Sequence, residues 1–448
     1  LAEHLDEQRI EYGYATESVR AKGRSYQSGN RQTVQVQPGD LIVDAAQPKA
    51  RLAKVLFEPK TTIIDSLMYD ITAWGLPYAY GVEAYAVPEQ VEVDTTGAPP
   101  TEPTLTGNTD RPYTYATPWR SRADARFAGA LLQEGIQLRF ATEPFTVDDR
   151  TYAPGTLLIT RTANTNRLSN FDETVRRIAT IHNQSLHALQ TGLTDEGPDL
   201  GSGTVGVIDG PAVAVLAGPP VAANRVGEVW HFFDRQIEYP ATLLPAEDVE
   251  ATMLDDVDVL VLPDGNYDAW LTDARAETIT QWVEEGGRLI ALGTANGALA
   301  EQSEYRLTKE ATGTAGDTAV DPSPQPYGAQ QRQALTQSTP GSIHRVRLDT
   351  THPLGFGLNS PYFTLKRNSA SYAYLGGGGT VGALEESAPV SGFMGSQAQR
   401  QVDDTLVFGA QRLGRGHVVY LVDNPLFRGF WYNGHVLFSN AVFFVGNG

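Results

Sequence analysis

Four short apolar runs in the second half of the chain restrict its fold more than any other feature. They are VAVLA (213–217), DVLVLP (258–263), RLIAL (288–292) and HVVYLV (417–422). Each has the length of a buried strand, and the stretches between them carry helical patterns. The segment 273–285 places Ile279, Trp282 and Val283 at spacings of three and four. A helix with Val229, Phe232 and Phe233 on one face covers the first run, and 433–444 reads as a closing helix. Continuous apolar strands alternating with amphipathic helices predict a doubly wound, mostly parallel sheet covered on both faces. Residues 344–411 read as shorter alternating strands, a β-rich antiparallel extension.

In such a sheet, ligands bind beyond the carboxyl ends of the strands. Those ends supply the candidate ligand-binding residues Asp264, Asn266, Tyr267, Gly293, Thr294, Asn296, Asn424 and Arg428. The stretch GGRLIALGTANGAL (286–299) has the strand–elbow–helix pattern that often carries a serine or cysteine nucleophile. Here the elbow is Gly293, Thr294 and Ala295. Thr294 has no terminal amine to activate it, and no GxSxG pattern is present. Its expected role is helix capping or packing, so no catalytic residue is assigned. In NPLFRGFWYNGH (424–435), Arg428 with Phe430, Trp431 and Tyr432 could clamp a carboxylate and stack on a ligand. Domain-interface anchors are the favoured reading of that cluster.

The first half repeats itself. EHLDEQRIEYGYATESVRAKGRSY, from Glu3, lies against ALLQEGIQLRFATEPFTVDDRTY, from Ala130. QPGDLIVDAAQPKARLAKVLFE, from Gln37, lies against APGTLLITRTANTNRLSNFDETVRRI, from Ala153. The offset is 126 at Ala15/Ala141 and 116 at Pro38/Pro154. This predicts a duplicated small α/β unit over 1–200, with copies at about 1–88 and 113–193. A second domain follows over 204–448 with an insertion at 303–341. Segments 88–112 and 312–341 are rich in Pro, Gly, Thr and Ser and read as poorly structured. Segment 194–211 reads as an interdomain linker.

Composition narrows the chemistry. The absence of cysteine excludes disulfides, thiolate zinc sites and a cysteine nucleophile. A net charge of −19, with 6 Lys against 28 Arg, argues against nucleic acid and points to adaptation to high salt. No apolar run is long enough to span a bilayer. A start at Leu1 without a signal-like stretch reads as a processed or trimmed product. His4 and Glu7 have the HxxE spacing of two ligands on one helix face, but no nearby third ligand completes a metal set. His231, in EVWHFFDRQ, reads as a core or interface residue. No phosphate-binding glycine pattern occurs.

The stretches QPKARLAKVLFEP (47–59), DSLMYDITAWGLPYAYG (65–81), LQTGLTDEGPDLGS (189–202), GEVWHFFDRQ (227–236), DVLVLPDGNY (258–267), WVEEGGRLIALG (282–293) and DNPLFRGFWYNGHVLFSNAVFF (423–444) carry a resemblance. Together they resemble the region downstream of the catalytic domain in large bacterial carboxypeptidase A-like zinc metallopeptidases. The second half also resembles a class I glutamine amidotransferase-like domain. The resemblance implies a secreted or periplasmic parent whose zinc sits in an upstream carboxypeptidase domain of the same polypeptide. This chain lacks that zinc set, and Gly293 stands where the amidotransferase cysteine would sit. The expectation is a non-catalytic accessory region that packs on the peptidase domain. The alternative is a module that binds a peptide, amino acid or cell-wall fragment at the strand ends. No cofactor is expected in this chain, and no membrane span.

Overall fold

The computed structural model describes residues 1–61, 63, 70–97, 103–310 and 333–447. Its first half holds α1 (Ala2–Gln8), β1 (Gly13–Ala15), β2 (Val19–Ser25), β3 (Arg31–Val36), β4 (Leu41–Ile42), α2 (Ala50–Phe57), α3 (Leu76–Tyr80), β5 (Tyr85–Ala86), β6 (Thr95–Thr96) and β7 (Leu105–Gly107). Next come β8 (Thr114–Thr117), α4 (Arg122–Gln133), β9 (Leu138–Ala141), β10 (Phe145–Val147), β11 (Arg150–Tyr152), β12 (Leu157–Thr160), α5 (Arg161–Asn164), α6 (Phe171–Ile181), β13 (Leu186–Leu189) and β14 (Val205–Ile208).

The two segments laid against each other in sequence share geometry. Leu41 faces Tyr14 and Ile42 faces Gly13, just as Leu157 faces Phe140 and Leu158 faces Arg139. Both Pro-Gly turns put glycine at positive φ, 94° at Gly39 and 84° at Gly155. The Gly39 N–H donates to Ala15 O at 2.7 Å, and the Gly155 N–H donates to Ala141 O at 2.8 Å. Glycine suits this left-handed position because a Cβ would be strained there.

The second half holds β15 (Val213–Ala217), α7 (Ala223–His231), β16 (Ala241–Pro245), α8 (Ala251–Leu254), β17 (Val259–Leu262), α9 (Asp273–Glu284), β18 (Arg288–Leu292) and α10 (Ala295–Leu299). It continues with β19 (Gly341–Leu348), β20 (Tyr362–Lys366), β21 (Thr380–Leu384), β22 (Ser391–Phe393), α11 (Ser396–Val402), β23 (Leu406–Leu413), β24 (Gly416–Leu421) and α12 (Tyr432–Phe443). One sheet runs β16-β15-β17-β18-β24-β23-β21-β19-β20, with β22 also paired to β19. The fold is therefore mixed α/β with several sheets.

Three expectations are corrected. The large sheet is mixed, not mostly parallel: ladders from β16 to β24 are parallel, and those from β24 through β20 are antiparallel. The β-rich segment is thus continuous with the parallel strands, because β24 pairs in parallel with β18 on one side and with its hairpin partner β23 on the other. The stretch 194–211 contains β14, which pairs with β9, so 204 is not a clean boundary between sheets. Within 88–112, β7 pairs in parallel with β13. Most of the insertion, 311–332, lies outside the described residues.

A shared core joins the halves. Phe127, Phe140 and Ile159 pack in one apolar cluster with Val229, Phe438 and Phe444. The Asn440 side chain ties three segments at this seam: its Oδ1 accepts from Trp119 Nε1 at 2.7 Å, and its Nδ2 donates to the Leu354 and Phe356 carbonyls.

Candidate functional site

The parallel strands end together on one rim, where β17, β18 and β24 deliver Asp264, the Gly293 elbow and Asp423. At the elbow, Gly293 has φ 55° and donates its N–H to Leu421 O at 2.8 Å. A Cβ built on Gly293 would lie 2.8 Å from Asp264 Oδ1 and 2.9 Å from Asp264 Cγ. The backbone keeps the strained shape of an elbow, and the Asp264 carboxylate fills the space a nucleophile would use.

Thr294 is the N-cap residue of α10 but makes no side-chain cap hydrogen bond. Its backbone N–H donates to Asp264 Oδ1 at 3.0 Å, and its hydroxyl lies 2.5 Å from the same oxygen and 2.9 Å from Gly265 O. The expected capping role is therefore replaced by a bond across the elbow. Both nearby acceptors compete for its proton, and among the described residues no histidine or lysine stands beside the hydroxyl in the manner of the usual activating base.

From Asp264 a chain of charges runs along the rim. Arg225 Nε lies 3.4 Å from Asp264 Oδ2, and Arg225 Nη1 lies 3.0 Å from Glu228 Oε1. Glu228 also accepts from Asn424 Nδ2 at 2.7 Å and from the Arg428 N–H at 3.1 Å. Arg428 then reaches Asp70 Oδ2 at 3.1 Å, and this hydrogen bond holds the Asp70 carboxyl below its ordinary range. A cleft of about 490 Å³ opens here, lined by Asn224, Arg225, Glu228, His231, Arg367 and Arg428 around Phe427.

Arg367 differs from its neighbours. Its guanidinium lies 4.2 Å from the Phe427 ring centroid, with Arg428 at 4.9 Å and Arg225 at 5.9 Å from the same centroid. Its buried Nε has no hydrogen-bond partner among the described residues. Burial lowers the Arg367 pKa, and the like charges of Arg225 and Arg428 lower it further. A cation in this state favours an incoming anion.

Beneath the rim, Lys366 Nζ donates to Asp423 Oδ1 at 3.1 Å, and the Thr364 hydroxyl donates to Asp423 Oδ2 at 2.8 Å. His344 packs beside them, with Nε2 2.8 Å from Ser342 Oγ. All these groups are buried, so they form an internal polar layer without access to the cleft.

The predicted residues fall into three groups. Asp264, Gly293, Thr294, Asn424 and Arg428 gather on the rim. Tyr267 and Asn296 do not offer themselves to a ligand: Tyr267 is buried, with its hydroxyl donating to Pro263 O, and Asn296 donates to the Gly293 and Leu421 carbonyls. Asn266 is exposed and accepts from the Asp268 N–H. His231 is exposed at the cleft, which corrects the core part of its reading as a core or interface residue; the neighbouring Phe232 and Phe233 take the buried positions. Trp431 is buried with Nε1 on Phe363 O, and Tyr432 stacks on Tyr80 at 4.2 Å.

Sequence reasoning missed Arg225, Glu228, Arg367 and Asp70. Arg225 and Glu228 stand three apart, a usable helical signal, but Arg367 and Asp70 reach the cleft only through tertiary contacts. A separate groove of about 610 Å³ lies in the first half, between Lys22, Arg24, Arg31, Glu58, Lys60 and Glu89. Among the described residues no three His, Asp or Glu side chains converge as a metal site, and no helix is long and apolar enough to cross a membrane.

No family model and no curated protein matches the chain. Solved structures give partial likenesses. A ThuA-like protein from Bacteroides uniformis is 12% identical, with a TM-score of 0.33, over 52% of this chain and 89% of its own. A protein described as a GMP synthase subunit from Thermoplasma acidophilum is 11% identical, with a TM-score of 0.32, over 52% of this chain and 93% of its own. A β-galactosidase from Bacillus circulans is 12% identical, with a TM-score of 0.31, over 52% of this chain and 31% of its own. Likenesses this low bring neither a family nor an activity to the chain.

Proposed function

We propose that this chain is a non-catalytic accessory region of a secreted or periplasmic zinc carboxypeptidase, with an amidotransferase-like second half. The observation that carries the non-catalytic part is the elbow. Gly293 has no reactive atom, the Asp264 carboxylate occupies the side-chain space, and the Thr294 hydroxyl is bound to that carboxylate. The peptidase connection rests on the sequence resemblance. In this reading the chain packs on the peptidase domain and shapes its stability or substrate access, while zinc stays in that domain. The purified chain, treated with a chelator, should release no C-terminal residues from peptides and no ammonia from glutamine. Turnover above a buffer blank in either assay overturns the reading.

A second reading is favoured by Arg367: the rim cleft binds a carboxylate-bearing peptide or amino acid. Arg367 has no ion-pair partner among the described residues, whereas Arg225 has two and Arg428 has one. Calorimetry should show binding of peptides with a free C-terminus and about tenfold or greater weakening with C-terminal amides, because the charge-assisted hydrogen bond is lost. Equal binding of acid and amide, or no heat from either, removes this reading.

A further inference from the structure

Among the strands that the two units of the first half share, one sheet edge differs. In the second unit the strand order is β14-β9-β12-β8, so β12 is paired on both sides. In the first unit the order is β6-β1-β4, and β4 has no second partner among the described residues. The correspondence of the strands that are present is close. Ala15 faces Thr95 and Tyr14 faces Thr96, as Ala141 faces Val205 and Phe140 faces Gly206. All four ladders are antiparallel.

The missing neighbour shows in the burial. Leu157, Leu158 and Ile159 are each fully buried. Their counterparts Leu41, Ile42 and Val43 are only half-buried. Around them Leu1, Leu52, Leu56 and Phe57 are also incompletely covered, so the described residues leave the cluster under α1 and α2 without an outer wall. In the second unit that wall includes Tyr115, a buried β8 residue facing the helices, while Ala116 faces the hairpin side.

The backbone has the same vacancy. The Ala15 N–H donates to Asp40 O at 2.9 Å, so the antiparallel alternation turns Ile42 toward β1 and leaves Leu41 and Val43 facing the open side. At the twin positions, Leu157 and Ile159 face Thr117 and Tyr115. An apolar edge with free amides is a template for an added strand.

We infer that the open edge of β4 receives an antiparallel strand from the peptidase-bearing polypeptide, an inference that rests on the accessory-region reading above. The donor has the chemistry of β8, with an aromatic or large apolar residue turned to α1 and α2 and a small residue beside it. In the second unit β8 runs through 118–121 into α4. By the same path the donor is the stretch of that polypeptide leading into α1. α1 corresponds to the last turns of α4: the Ile10 N–H donates to Leu5 O as the Ile136 N–H donates to Leu131 O.

The chain supplies its own probe. Residues 111–126 (RPYTYATPWRSRADAR) are fused ahead of Leu1, which then stands where Phe127 stands in the second unit. Hydrogen exchange at the Leu41 and Val43 amides should slow at least about tenfold relative to the unfused chain, as a new ladder forms. The same fusion carrying Tyr115→Pro in the added copy should give no slowing, because proline cannot donate to the ladder. Equal exchange in the two fusions overturns the open-edge inference. The polypeptide's own lead-in, fused in the same place, should protect like the β8 copy; failure of that arm alone overturns the donor. Both outcomes are separate from the peptidase and glutaminase assays, which judge the accessory-region reading.

Discussion

Gly293 shows how a single residue sets what the rim can do. Any side chain there needs a left-handed backbone and must displace Asp264. Gly293→Ala should therefore destabilise the chain by about 1–3 kcal/mol, read as a lower denaturant midpoint. An unchanged midpoint would show that Asp264 moves freely and that the elbow is not closed by it. Lys366 makes a second case, since it is buried against Asp423. Lys366→Met should cost roughly 3–5 kcal/mol by leaving a buried carboxylate unpaired, and adding Asp423→Leu should recover much of that loss. No recovery in the double variant would mean that the Thr364 contact, not the charge pair, governs the site.

The sequence made the elbow legible because strand, small residues and helix start are adjacent in the chain. It did not reveal that Asp264, thirty positions earlier, fills the pocket side of the turn. The inward bonding of Asn296 and Tyr267 is hidden in the sequence for a related reason. Polar residues at a strand end look available until the fold shows which backbone carbonyls they must satisfy.

At the scale of elements, the central strands were readable because continuous apolar runs can only be buried on both faces. VAVLA and RLIAL coincide with β15 and β18, and α9 spans nearly the expected residues. β16 was not anticipated: its Thr242, Leu243 and Pro245 are exposed, so the run lacks a buried-strand signature. The seam between elements depends on α12, which presents Asn440 to both halves. Asn440→Ala leaves the Trp119 indole N–H and two carbonyls without their partner, and each such buried group costs about 1–3 kcal/mol. A loss of at least about 2 kcal/mol by denaturant titration is expected. A loss near zero would mean that water enters the seam and replaces the side chain.

At the scale of the whole molecule, the shared core makes the two sequence domains interdependent. Core residues of α4 and β9 pack on those of α12, and β14 completes the sheet of the first half. A fragment beginning at residue 204 should therefore expose apolar surface and bind a hydrophobic dye, while the intact chain should not. A monomeric, dye-silent fragment would show that the second half closes its own core.

Three histidines held below their ordinary range should make the fold sensitive to acid. Burial pushes His344 and His435 down to about 3 and His417 down to about 4, against 6.5 for the free side chain. The unfolded chain therefore binds more protons at these sites below about pH 6.5. Their contribution to stability is present above that pH and is lost progressively down to pH 4–3. Denaturant midpoints should fall over this interval, and His435→Gln should flatten part of the slope. An unaltered slope in that variant would place the acid sensitivity in other groups.

Taken alone, the sequence determined where the buried strands lie, which segments of the first half match each other, and that the elbow carries no strong nucleophile. These are local properties, fixed by side-chain type and by spacing along the chain. Only the tertiary structure decided that the large sheet is mixed, that Arg367 and Asp70 meet Arg428 at the rim, and that among the described residues β4 keeps an open edge where β12 has none. Those features depend on pairings between residues distant in sequence, whose choice rests on the total burial and hydrogen bonding of the folded chain.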